Sequence, residues 1–184
     1  MSATLVFIDE SGLLMAPLVR RTWAPCGQTP IFDQRTRSRE KVSIIAALTL
    51  SPKRRRVGLY FALYPNTNVD TQAFVTFLRH LARHLRQPII IVWDRLPGHR
   101  AHAVTALVQN HLRLHAVLFP PYAPELNPVE AVWSWLKQNP LANFAAPDAQ
   151  TLARSAARHV RKLRRQSYLL KSFLRSTPLF SRLK

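Results

Sequence analysis

Three acidic residues carry the chemistry this sequence offers. Asp9 ends the apolar run TLVFID, Asp94 ends PIIIVWD, and Glu130 stands in Asn-Pro-Val-Glu at the head of a helical segment. Carboxylates brought side by side repel, and one of them must take up a proton unless a cation offsets the charge. Mg²⁺ takes oxygen ligands and is usually held by one or two carboxylates together with substrate phosphates. A third carboxylate would let two ions sit ~4 Å apart, gripping the attacking and leaving oxygens of an in-line phosphoryl displacement. Each acid also has a plainer role open to it. Asp9 and Asp94 can simply end their strands in water. Glu130 lies three residues after Asn127, which is capping-box spacing with Pro128 at the first helical position.

Charge makes the acids conspicuous. The chain has 27 Lys and Arg against 9 Asp and Glu, a formal net charge of +18 over 184 residues. That excess repels itself in the folded state, so a polyanion is the natural partner. Nucleic acid fits better than a membrane surface, because no basic helix is backed by a long apolar face. No stretch approaches the ~18 consecutive apolar residues of a membrane span, and MSATLVFIDE does not read as a signal peptide. The single cysteine, Cys26, excludes an internal disulfide and a cysteine-based zinc cluster, in keeping with a reducing, cytoplasmic setting.

The elements that must position the acids follow from periodicity. Continuous apolar runs predict buried strands over 4–9 and 88–94, and a further short strand over 115–119. Runs over 41–50 and 56–64, separated by SPKRR, predict a hairpin. Ala73, Phe74, Phe77, Leu78, Leu81 and Leu85 recur at helical spacing behind Asp70, a ready N-cap. A second helix is expected over about 100–111 and a third from the Asn127 cap. From Asp148 onward the chain reads as one long basic helix or two. The order implies an α/β fold: a mixed five-stranded sheet with helices on both faces, the first and fourth strands adjacent at its centre. Asp9 and Asp94 would then emerge together at carboxyl ends, where open sheets build their sites.

The stretches VFIDESG, TWAPCGQTP and VWD, then 35 residues to Glu130 within PPYAPELNPVEAVWSWLK, closely resemble the catalytic domain of mariner-type transposases. The nearest likeness is to their bacterial insertion-sequence branch, part of the DDE superfamily with its ribonuclease H-like fold. The matching motifs run from about residue 5 to 137. The resemblance implies that Asp9, Asp94 and Glu130 form a metal-binding catalytic triad for two Mg²⁺ (or Mn²⁺) ions. It implies hydrolysis of a DNA phosphodiester at element ends and strand transfer into target DNA. Glu10 matches an acid common in the family, but strand alternation turns it to the opposite face. Where the family commonly has Asn after the second aspartate, this chain has Arg95, which either contacts a phosphate or disturbs the metal site. His99 matches a histidine common in the family; orienting a phosphate or the water is one reading of it, a polar helix-start residue the other.

The resemblance divides the chain into a catalytic domain over 1–140 and a basic helical extension over 141–184 packed on it. Arg154, Arg158, Arg161 and Arg165 line one helical stripe opposite Leu152, Ala156, Val160 and Leu163, suited to positioning DNA through its phosphates. His80 and His84 alternate with Arg79, Arg83 and Arg86, which suits a solvated or DNA-facing surface better than zinc. Trp93, Trp133 and Trp135 are assigned to packing, and Ser11 has no His–Asp arrangement that would activate it. Double-stranded DNA is the expected partner, met as a homodimer. The helix-turn-helix modules usual at the start of such transposases are expected on a separate or frameshift-joined product, or on a longer chain. A non-catalytic DNA-binding remnant and a nuclease for RNA–DNA hybrids remain the alternatives.

Overall fold

The computed structural model describes residues 2–16, 18–31, 40–96 and 101–180. Its strands are β1 (Thr4–Leu14), β2 (Lys41–Leu50), β3 (Val57–Pro65), β4 (Ile89–Trp93) and β5 (Leu114–Leu118). Its helices are α1 (Thr71–His84), α2 (His102–Asn110), α3 (Val129–Gln138), α4 (Ala149–Arg164) and α5 (Ser167–Arg175). The strands form one sheet in the order β3-β2-β1-β4-β5. β1, β2 and β3 pair antiparallel, while β4 runs parallel to both β1 and β5. The mixed sheet and the adjacency of the first and fourth strands agree with the expectation.

Alternation along the strands divides the core into two layers. Val6, Ile8, Ile45, Ala47, Ile89, Ile91 and Trp93 pack under α1 and α2. Phe7, Leu13, Val42, Ile44, Ala46, Leu48 and Leu50 pack on the other face, under α3, α4 and α5. Burial of these side chains at ~25 cal/mol per Å² is the main force ordering the fold. Asp70 caps α1 by accepting the Ala73 N–H at 2.7 Å, and Asp148 caps α4 by accepting the Thr151 N–H at 2.7 Å. Between β2 and β3 the Ser51 N–H donates to Arg56 O, and Arg54 adopts a positive φ of 54°, closing the turn.

Two local expectations change, and one left open is decided. β1 does not end at Asp9 but continues to Leu14, because β2 supplies partners over the whole length, out to Leu14 opposite Lys41. Of the two readings of the basic tail, one long helix or two, the structure has two, α4 and α5, interrupted at Arg165–Gln166. The third helix begins at Val129 instead of directly after Asn127. Asn127 still caps it, its side chain accepting the Val129 N–H at 3.2 Å and its carbonyl accepting the Glu130 N–H at 3.1 Å. The Asn127 N–H donates to Pro124 O, so the reciprocal half of a capping box, which would occupy Glu130, is not formed.

Candidate active site

Asp9 lies where the two neighbours of β1 part company. Its parallel ladder with β4 stops at Phe7 opposite Val92, while pairing with β2 continues. Carrying the parallel register two residues further sets Asp9 level with Asp94, on strands ~4.8 Å apart. Alternation turns both toward the face of Phe7 and Val92, the face that α3 covers. The prolines at 120, 121 and 124 lead the chain from β5 into a 3-10 turn at Pro124–Leu126 and then into α3. This entry puts Glu130, in the first turn of α3, over the same strand ends. Asp9, Asp94 and Glu130 together line one cavity of about 470 Å³, walled by Phe119 and the proline segment.

The environment of Asp9 is unusual for a carboxylate. It is 7 % exposed, and its Oδ2 accepts the indole N–H of Trp133 at 2.7 Å. Burial pushes its pKa from 3.8 to about 7; the Trp133 hydrogen bond opposes the rise, and the charges of Glu130, Glu10 and Asp94 add to it. Two acids remote in sequence, Glu130 and Asp94, therefore reach Asp9 through space. Asp94 is half-buried, and its Oδ1 accepts the Leu96 N–H at 3.0 Å. Glu130 is exposed to the cavity. Glu10 is absent from the cavity wall, as alternation requires.

Among the described lining residues the anionic groups are all carboxylates, whose oxygens suit a hard divalent cation. Among the described residues, no three His, Cys, Asp or Glu side chains already stand close enough to hold an ion. The three acids frame a shared space without converging on one point within it.

Other expected site residues fall as follows. Arg95 is on the cavity rim, with Nε 3.4 Å from Phe119 O, a long contact that ties it to the wall. His99 lies outside the described residues. Arg154, Arg158, Arg161 and Arg165 are exposed, away from the cavity, and Leu152, Ala156, Val160 and Leu163 beneath them are buried. Arg165 forms the C-cap of α4 and is not within it. Ser11 accepts a hydrogen bond from Lys137 Nζ at 2.7 Å. Trp133, expected only to pack, also holds the most buried of the described acids. No pattern of types or spacing carries that signal, because it depends on how α3 is rotated against β1.

A five-stranded mixed sheet of this order, with acids gathered beside its central parallel pair, is the ribonuclease H-like class of fold. Within that class the family follows from the sequence: the model of the DDE superfamily endonucleases matches residues 4–153, and the chain belongs to that family. The fold is similar to the Mos1 mariner paired-end complex with Mn, with a TM-score of 0.68, 17% identity, and coverage of 95% of this chain and 52% of that one. The Mos1 transposase paired-end complex with left transposon end gives 0.63, 17%, 96% and 52%. The Mos1 strand transfer complex gives 0.61, 18%, 94% and 53%. At such identities the likeness is one of fold, and the chain spans about half the length of these three Mos1 chains. No curated protein matches the sequence significantly.

Proposed function

We propose that this chain is the catalytic part of a DNA transposase. It would hydrolyse phosphodiesters at the ends of a mobile element and join the freed 3′-hydroxyl to target DNA. The carrying observation is that Asp9, Asp94 and Glu130, from three separate elements, line one cavity in a member of the DDE superfamily endonucleases. The solved Mos1 complexes with Mn and with transposon-end DNA support the same reading of metal and partner.

In this proposal Asp9, Asp94 and Glu130 hold two Mg²⁺ or Mn²⁺ ions. Such ions, when bound, stabilise the charge that develops on the attacking and leaving oxygens. Asp9 contributes a fixed ligand, because burial and the Trp133 hydrogen bond restrict its carboxylate. Glu130, exposed at the helix start, has the freedom to swing inward as charge enters the cavity. Arg95 on the rim, and the exposed arginines of α4, are suited to gripping phosphates and positioning the duplex. A homodimer on DNA, and helix-turn-helix modules that read the element ends, complete the proposed assembly.

The test incubates labelled duplex carrying element ends, and an RNA–DNA hybrid, with the chain and a DNA-reading part, with and without Mg²⁺ or Mn²⁺. Metal-dependent cutting of the duplex is expected. Alanine at Asp9, Asp94 or Glu130 should lower cutting by at least a thousandfold while duplex affinity stays within about twofold. Full cutting by Asp94→Ala sinks the site, and preference for the hybrid would point to a ribonuclease H-type nuclease instead.

A further inference from the structure

A second charged site lies on the other side of the sheet. From Thr71 to Pro124 the only acid is Asp94, so α1, α2, β4 and β5 carry none. Where the C-terminal end of α1 meets the start of β5, Arg79, Arg83, His111 and Arg113 line a pocket of about 240 Å³ floored by Leu107 and Leu114. Two of the four have structural employment. Arg113 donates to Leu85 O at 2.6 Å and Ala82 O at 2.8 Å, closing the carbonyl end of α1. The Arg113 N–H donates to His111 Nδ1 at 3.3 Å, which makes Nε2 the protonated nitrogen of the neutral ring.

Arg79 and Arg83 have no such employment. They are exposed, one turn apart on α1, and no described acid pairs with either. Like charges at this spacing cost a helix a few tenths of a kcal/mol, roughly 0.2–0.5. Arg113 behind them adds a third fixed positive charge. The site is also remote from the acids. It lies at the amino ends of the parallel strands and on the α1 face of the sheet, whereas Asp9 and Asp94 face α3 at the opposite ends. The five residues of β4 alone separate the two levels by roughly 16 Å.

We infer that Arg79, Arg83 and Arg113 form a phosphate-backbone site for duplex DNA, separate from the acidic cavity, through which the chain holds a second segment of DNA. The inference rests on the reading of the chain as one that acts on DNA. Its test needs no cutting, so it stands or falls apart from the roles of Asp9, Asp94 and Glu130.

The experiment measures binding of a labelled mixed-sequence duplex to the full chain without divalent ions, across a range of KCl. Arg79→Gln/Arg83→Gln is compared with Lys53→Gln/Arg55→Gln in the exposed β2–β3 turn, which removes the same charge elsewhere. Each lost phosphate contact lowers the slope of log affinity against log salt by ~0.9. The α1 pair should lower it by about two, and the turn pair by much less. Gln keeps helix propensity, so both variants should melt like the parent. Equal slopes for the two variants overturn the inference. So does thermal stabilisation of the parent by inorganic phosphate, lost in the α1 pair, if the duplex slopes agree; that outcome identifies a free-anion pocket.

Discussion

Asp9 couples the stability of this protein to the chemistry of its cavity. Its carboxyl is buried, and its pKa is pushed up to about 7. The folded state therefore holds the proton more tightly than the unfolded chain does between about pH 4 and 7. Stability attributable to this group falls as pH rises through that window, and the loss is complete above the folded pKa, on the order of 4 kcal/mol. In the proposed metal-bound state, a divalent cation beside the carboxylate would offset the cost at high pH. With EDTA present, the melting temperature should fall from pH 5 to pH 8 more steeply in the parent than in Asp9→Asn. The Asn side chain can still accept the Trp133 N–H, so the comparison isolates the charge. Adding Mg²⁺ at pH 8 should raise the parent alone. Melting profiles that run parallel in the two proteins would show that Asp9 does not titrate in this way.

At the scale of elements, legibility in the sequence depends on whether the signal is local. The apolar runs locate β2, β4 and β5 to within a residue or so, and the Asp70 cap locates α1, because each signal lies within the segment it defines. The continuation of β1 through Glu10–Leu14 is not legible. ESGLL has no strand pattern of its own and is held extended by β2, 27 or more residues away. That Asp9, Asp94 and Glu130 share a cavity can be anticipated because carboxylates are scarce here and stand at the ends of apolar runs or the head of a helix; the contact of Trp133, an indole among packing residues, cannot. The tail shows the same limit. Its amphipathic stripe and its packing on the preceding domain are expected, but not that Leu152, Val160, Leu163, Leu170 and Phe173 join one continuous core with β2 and β3. Leu163 is fully buried, so Leu163→Ala should cost about 2–5 kcal/mol. Because the layer is shared, calorimetry should show one transition shifted as a whole. A tail that melts separately, leaving the sheet's transition in place, would refute this coupling.

Across the whole molecule, the charge surplus sets stability and affinity in opposition. With 27 basic and 9 acidic residues, and no acid within α1, α2, α4 or α5, the folded protein confines positive charge that the unfolded chain can spread out. Salt shortens the Debye length from ~30 Å at 0.01 M to ~8 Å at 0.15 M, which relaxes that repulsion more in the compact state. The same salt erodes the release of counterions that drives binding to a polyanion. Raising KCl from about 0.02 to 0.3 M should therefore raise the melting temperature of the free protein by several degrees while weakening duplex binding by orders of magnitude. Adding duplex at low salt should stabilise the protein at least as much as added KCl does, because phosphates deliver the neutralising charge directly to the arginine surfaces. A melting temperature that falls with KCl would mean that attractive ion pairs outweigh repulsion. The basic surface would then be balanced within the fold and would not require an outside partner.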